Sequence, residues 1–288
     1  MYKRLWWDAL GLKKWLKHKN IEPIATISLQ NTGFKVGKKV PSFIYYHQSI
    51  PFYPQKWNPF KKKERTFWFY KYIYTYFVRL FLKKDTKIFV QLNFIKEGFA
   101  KKYNHPKELI EVYTPTVLSP SGLFHKQQLS DKLIFFYPAT NFFYKNHRVI
   151  SKALSEIEDQ IEVRFTTSSS GINPNDPRIS YLGMLPYSKV YEMYNSCDAL
   201  LFPSYIETFG LPLIEAAITG LPIIAADLPY AREVLKGYTG ATYVPYDNPH
   251  AWADAIQKIK KGKRYKPLDI TNRKSWSDLF NSIISKIN

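Results

Sequence analysis

The chain has 288 residues, 45% of them hydrophobic, and a formal net charge of +19. That length suits about two ordinary domains with a sizeable core. One cysteine, Cys197, excludes an internal disulfide and a cysteine-based zinc site, and the six histidines show no H-E-x-x-H spacing. No D-x-D triplet occurs, so no cofactor and no built-in metal are expected. The charge is uneven: residues 1–125 hold 23 Lys and Arg against 7 Asp and Glu, a balance of +16. Such a surface suits a membrane face, a phosphate-bearing substrate or nucleic acid. The start MYKRLWWDALGLKKWLK lacks the apolar core and cleavage site of a signal peptide. No apolar stretch reaches the roughly 18 residues of a membrane span. The expected location is cytoplasmic, with peripheral contact on the inner face of an anionic membrane.

Residues 1–19 predict a basic amphipathic helix, with Leu5, Trp6, Ala9, Leu12, Trp15 and Leu16 on one face and Lys13, Lys14 and Lys17 on another. Strands are expected at Ile24–Leu29 and Phe43–Tyr46. His47 follows the second of these, before a proline turn, where a side chain can reach a ligand or simply bond a loop carbonyl. Lys61, Lys62, Lys63 and Arg65 form a basic run that reads most simply as solvated surface. The aromatic segment TFWFYKYIYTYFVRLFLKK reads as a helix, interrupted by Lys71 and Arg79 and too polar to span a bilayer comfortably. A strand at Lys87–Gln91, a helix at Phe94–Lys102 and a strand at Leu109–Tyr113 follow. The proline- and serine-rich segment from Thr114 to Gly122 is the expected linker.

The second half reads more cleanly. Strands are expected at Leu133–Tyr137, Glu162–Thr166, Ile179–Leu182, Ala199–Phe202, Ile223–Ala226 and Thr242–Val244. Helices are expected at about 147–158, 187–196, 209–219, 229–236 and 249–261, with a last amphipathic helix at Trp276–Ile287. Strand alternating with helix is the pattern of a doubly wound α/β domain. The organisation expected is a basic domain over 1–122, a second domain over 123–274 and a terminal helix over 275–288.

The most informative stretch is LFPSYIETFGLPLIEAAITGLPIIAAD, from Leu201 to Asp227. It reads as strand, loop, helix and strand, a right-handed crossover of a parallel sheet. Glu207 and Glu215 bracket the loop and the helix start. Thr208, Phe209, Gly210 and Leu211 can present backbone N–H groups to an anion, and Gly210 permits close approach. Carboxylates flanking such a loop suit sugar hydroxyls beside a phosphate. On spacing alone, Glu207 as a helix cap and Glu215 as a solvated helix residue are equally good readings.

The setting FPSxxExFGLPxxEAxxxGxPII resembles the signature of the retaining GT-B glycosyltransferases of family 4. The resemblance implies two Rossmann-like doubly wound domains facing a cleft, a nucleotide-sugar donor and no metal. It implies that Glu207 faces the donor sugar and that Phe209, Gly210 and Leu211 offer N–H groups to sugar or phosphate, with Thr208 beside them. It implies that Glu215 accepts from the ribose hydroxyls and that Gly183 and Met184 lie by the base. The loop after the strand at Leu133–Tyr137 commonly reads GRxxxxKG in the family. Lys145, followed by Asn146, matches the lysine that neutralises the diphosphate, whereas Thr140 stands where the arginine would be. The stretch AADLPYAREV resembles a branch from surface-polysaccharide clusters. His47 is the candidate for the histidine contributed by the N-terminal domain. The catalytic group so implied is Glu207, His47 and Lys145.

The function implied is sugar transfer from a nucleotide-sugar donor to a lipid-linked or saccharide acceptor in surface-polysaccharide assembly, with retention at the anomeric carbon. The chain differs from the family at its start, where no glycine-rich strand–helix unit precedes Ile24, so the N-terminal domain is expected to be shortened and incomplete. A truncated, non-catalytic nucleotide binder is the alternative of another class. Two carboxylates also suggest a glycosidase, but Lys145 and the N–H cluster call for a phosphate. No RNP, KH or zinc-finger signature supports nucleic-acid binding, so no nucleic-acid partner is expected.

Overall fold

A computed structural model describes residues 2–117, 131–158, 160–168 and 176–287. Its contacts divide the chain into two compact units, one formed by Met1–Thr116 with Arg273–Asn288 and the other by Val117–Asn272. Residues 118–122 of the expected linker lie outside the described residues.

The first unit begins with one helical segment broken by a π-turn: α1 (Tyr2–Trp6), the π-turn Trp7–Gly11, and α2 (Leu12–His18). The aromatic segment is built the same way, as α3 (Arg65–Trp68), the π-turn Phe69–Ile73 and α4 (Tyr74–Phe81). Four parallel strands, β1 (Thr26–Ser28), β2 (Ser42–Tyr45), β3 (Lys87–Val90) and β4 (Ile110–Val112), pair in chain order. Helix α5 (Asn93–Tyr103) joins the last two. Among the described residues the order of this sheet does not reverse, so it is wound in one direction.

Side chains alternate across a strand, which puts Phe43, Tyr45 and Phe89 on one face with Tyr113 just past β4. The terminal helix α11 (Trp276–Ile284) covers that face with Leu279 and Ile283. Burying those two side chains stabilises by about 1.5–3 kcal/mol each. A capping box starts α11: Ser275 N–H donates to Asp278 Oδ2 at 2.7 Å, and the Ser275 hydroxyl lies 2.9 Å from the same oxygen. Its end is fixed by the Lys286–Glu111 ion pair. On the other face Tyr46 meets Phe99 of α5, ring centroids 4.9 Å apart.

The first π-turn changes which residues the N-terminal helix buries. The periodic reading put Trp6 and Trp15 on one face with Leu5, Ala9, Leu12 and Leu16. In the structure Trp6, Trp7 and Trp15 are 52%, 37% and 43% exposed, while Asp8 and Gly11 are buried. The extra residue in the turn rotates the helix faces out of the 3.6-residue register. Gly11 is required there, because a Cβ would stand 2.7 Å from the Trp6 ring and 2.8 Å from the Trp7 ring.

The second unit holds β5 (Leu133–Tyr137), β6 (Ile161–Phe165), β7 (Ile179–Tyr181), β8 (Ala199–Phe202), β9 (Ile223–Ala226) and β10 (Ala241–Val244). All pair in parallel, in the order β10-β9-β8-β5-β6-β7. The crossovers carry α6 (His147–Leu154), α7 (Tyr187–Ser196), α8 (Leu211–Ala217) and α9 (Pro229–Val234), and α10 (Pro249–Gln257) follows the last strand. Strands β8 and β9 are buried at every residue, as expected for a sheet covered on both faces. The chain starts in mid-sheet at β5, runs outward to β7, then returns to β8 beside β5. The order therefore reverses between β5 and β8, and that crevice is where ligands bind in open α/β sheets.

Candidate functional site

Two loops leave the sheet at the switch point. The loop after β5 closes on a 3-10 turn, Phe143–Lys145, followed by Asn146 in the left-handed conformation at φ 59°. Asparagine tolerates that region because its short side chain bonds locally. Here Asn146 Nδ2 donates to the carbonyls of Tyr246 at 2.7 Å and Pro203 at 3.3 Å. The Tyr137 hydroxyl donates to the Lys145 carbonyl at 2.8 Å. Lys145 is thus placed at the head of α6 by bonds to its own backbone and to its neighbour.

The loop after β8 is tied to the first. Tyr205 N–H donates to the Tyr144 carbonyl at 3.0 Å. The buried Tyr230 hydroxyl, from α9, donates to the Ser204 carbonyl at 2.6 Å. Gly210, at φ 87°, turns the chain into α8, and Pro212 follows in its first turn. This is why α8 starts at Leu211, later than the helical spacing from Phe209 predicts. Phe209 is buried under the turn, whereas Leu211 is exposed.

At the junction the Lys145 ammonium bonds the Glu207 carboxylate, with side chains 16% and 13% exposed. The ammonium also stands 5.5 Å from the Tyr144 ring centroid and 5.8 Å from that of Phe202. Such aromatic faces favour a cation. Tyr144 itself is pushed up to about 12 by burial and by the Glu207 charge, so its hydroxyl stays protonated. The site therefore holds a positive charge that faces a carboxylate, between rings, at the carboxyl ends of two central strands.

The remaining candidates are distributed as follows. Glu215 is buried in α8 and accepts from the Tyr194 hydroxyl at 3.0 Å and from Tyr187. Burial pushes its carboxyl up despite those bonds. Gly183 and Met184 follow β7, at the edge of the sheet; Gly183 is left-handed with open space around it, and Met184 is 95% exposed. His47 belongs to the first unit, just past β2, where its backbone N–H donates to Asn31 Oδ1 at 2.7 Å. Burial lowers its affinity for a proton, partly offset by a bond to the Tyr45 backbone. Among the described residues no group of three or more His, Cys, Asp or Glu is arranged to hold a metal ion.

Residues that the spacing did not reveal complete the site. Tyr230 and Tyr137 brace the two loops through their hydroxyls. A tyrosine where a phenylalanine would fill the same core position is the available signal, since a buried hydroxyl needs a partner. His147 is buried between the rings of Tyr137 and Phe165, centroids 4.8 and 4.9 Å away. Its Nε2 has no hydrogen-bond partner among the described residues. Burial and the neighbouring Lys145 charge lower it to about 4.

Residues 174–275 match the family model described as "Glycosyl transferases group 1". The chain is 26% identical over 199 residues to the O-antigen chain mannosyltransferase RfbU of Salmonella typhimurium, covering 66% of this chain and 56% of that one. The chain thus spans about half the length of that curated relative. Among solved structures, a glycosyltransferase from Rickettsia africae superposes with a TM-score of 0.66 at 16% identity, covering 98% of this chain and 80% of the other. Anabaena HepE, solved with UDP and glucose, gives a TM-score of 0.55 at 15% identity over 76% of this chain and 61% of its own. These likenesses show the fold: α/β units with parallel sheets, as in the GT-B glycosyltransferases.

Proposed function

We propose that this chain, whose residues 174–275 carry the group 1 glycosyltransferase pattern, transfers a sugar from a nucleotide-sugar donor with retention, as in family 4. The acceptor is a lipid-linked or other saccharide intermediate of surface-polysaccharide assembly. The observation that carries the reading is the Lys145–Glu207 pair at the switch point. A lone carboxylate pair would suit hydrolysis, but a lysine held at the head of a helix suits a departing diphosphate.

In the reaction the bond from the sugar C1 to the diphosphate oxygen breaks, and its electron pair leaves with the phosphate. The acceptor hydroxyl attacks C1 from the face the phosphate leaves, and its proton passes to the departing phosphate oxygen. Lys145 exchanges the Glu207 carboxylate for the diphosphate as negative charge grows there. Glu207, released from the lysine, faces the sugar and stabilises its cationic character. Phe209, Gly210 and Leu211 supply backbone N–H donors, with Thr208 at their edge. Glu215 takes the ribose hydroxyls by giving up its tyrosine bonds, and Gly183 and Met184 flank the base. No metal is needed on this view, because Lys145 and the helix ends supply the positive field. Thr140 in place of an arginine leaves Lys145 as the chief cation of the loop.

His47, at the carboxyl end of β2, is the first unit's candidate for acceptor chemistry. The chain works at the inner membrane face in the cytoplasm, since the first 125 residues carry +16 and expose Trp6, Trp7 and Trp15. The name of the Salmonella relative, an O-antigen chain mannosyltransferase, supports the polysaccharide setting, and the Anabaena complex supports UDP among the donors to test. The test is thermal unfolding with UDP, GDP and ADP. A ligand of the folded form raises the midpoint by mass action. A rise with one base identifies the donor class, and no rise with any at millimolar concentration removes the donor assignment.

A further inference from the structure

The two π-turns of the first unit, Trp7–Gly11 and Phe69–Ile73, border the same cavity, of about 290 Å³. One wall is aromatic, from Phe69 and Tyr70 of the second π-turn and Tyr74 and Phe77 of α4. Arg4, Asp8 and Thr32 supply the cavity's polar groups, with the Tyr74 hydroxyl near them. Arg4 Nε donates to both Asp8 oxygens at 3.0 Å, and the Thr32 hydroxyl donates to Asp8 Oδ2 at 2.8 Å. Arg4 Nη2 reaches the Thr32 oxygen at 3.3 Å. The Asp8 side chain has no exposure and that of Arg4 is 33% exposed, so the carboxylate anchors a guanidinium presented to the cavity.

A π-turn is uncommon and gathers at functional sites, because it aims side chains that a regular helix would place elsewhere. The first turn brings Asp8 inward, and the second brings Phe69 and Tyr70 to the same space. Thr32 and Asn31 belong to the loop that follows β1, and Asn31 is the residue that holds His47.

The chemistry narrows the occupant. An alkyl chain would strip water from Arg4 and return no bond. A free anion would meet a guanidinium already offset by Asp8. An uncharged ring with an apolar face and a polar rim matches the aromatic wall and the polar groups, as in pockets with apolar walls and a few placed polar groups. We propose that this cavity is a subsite for one sugar ring of the acceptor, its C–H face on the aromatic wall and its hydroxyls on Arg4 and Thr32. The acceptor role rests on the glycosyltransferase reading above; sugar binding in the cavity does not.

Saturation-transfer NMR with the methyl glycosides of mannose, galactose and glucose tests this on the full chain, with inorganic phosphate and 1-octanol as the other probes. At least one glycoside is expected to receive saturation at its ring C–H protons. Tyr70→Ala should abolish the signal, and Arg4→Gln should weaken binding about tenfold, the size of one charge-assisted bond. The thermal shift with nucleoside diphosphate should be unchanged in both variants, and both should keep the parent's dispersed aromatic and methyl NMR signals, which shows that the first unit folds. Should Arg4→Gln fail to fold, the half-buried Tyr70→Ala carries the comparison. No binding of any glycoside, or binding that survives both substitutions, overturns the assignment. So does phosphate or octanol competing at Tyr70 where glycosides do not. Glycoside binding without any nucleotide shift would overturn the donor reading and leave the saccharide site standing.

Discussion

The Lys145 ammonium bonds the Glu207 carboxylate, and so joins the loop after β5 to the loop after β8 where the strand order of the second unit reverses. On the proposed function the pair is half of an exchange in which an entering diphosphate displaces Glu207 from Lys145, so the two residues are expected to respond oppositely to removal of their charge.

Lys145→Met should therefore lower nucleoside diphosphate affinity about tenfold or more, the loss of one charge-assisted bond. Glu207→Gln should leave that affinity equal or higher, because the lysine loses its competitor. Turnover with a nucleotide sugar should nevertheless fall about 10²–10³-fold in Glu207→Gln, a typical loss for a group that stabilises transition-state charge. Titration calorimetry and initial rates give both numbers. Equal losses of nucleotide affinity in the two variants would remove the exchange.

His147 sets a pH limit on the same loop. Burial lowers its folded value to about 4, so the native state binds this proton less readily than the unfolded chain. Its contribution to stability is present above the ordinary histidine value near 6.5 and is lost as pH falls through about 4. The full span corresponds to about 3 kcal/mol. His147→Phe fits between the Tyr137 and Phe165 rings and should flatten the fall in midpoint between those values relative to the parent chain. Parallel pH profiles would show that His147 does not report on this loop.

Glu215 should trade stability for binding. Burial raises its carboxyl above the ordinary range, so its stabilising protonated form is fully present below about 4.5 and is lost as pH rises through the folded value. Glu215→Gln should raise the melting midpoint at pH 7–8, with the gain shrinking on acidification. The same change should raise the donor KM more than it lowers kcat. A lower midpoint at neutral pH would mean that the bonds from Tyr194 and Tyr187 outweigh the burial of charge.

The membrane contact is open to a direct assay. Trp6, Trp7 and Trp15 stand exposed beside Lys13, Lys14 and Lys17 on the N-terminal helix. The chain should sediment with phosphatidylserine-containing vesicles, and a tenfold rise in salt should release most of it. Replacing the three tryptophans by alanine should weaken the salt-resistant part. Equal binding to neutral vesicles would remove the electrostatic half of the argument.

Much of this fold was legible in the residue order. Apolar runs such as Ala199–Phe202 and Ile223–Ala226 are bounded by turn residues, and both form strands with the expected limits. Helix ends were less legible: left-handed Gly210 holds α8 back to Leu211, two residues past the expected start, and α6 starts where expected but ends at Leu154, short of 158. The π-turns were invisible for a similar reason: a one-residue slip leaves composition unchanged but moves Trp6 and Trp15 outward and Asp8 inward. At the candidate site the charged residues announced themselves by motif. Their braces did not, since Tyr230 and Tyr137 act through hydroxyls whose carbonyl partners are distant in sequence.

The central claim is that the Lys145–Glu207 junction holds a nucleotide-sugar donor. Hydrogen exchange with and without the best-binding nucleoside diphosphate tests it most directly. The account predicts added protection at 138–147 and 203–217, lost in Lys145→Met. Protection confined to the first unit, or none in either segment at saturating nucleotide, would contradict it.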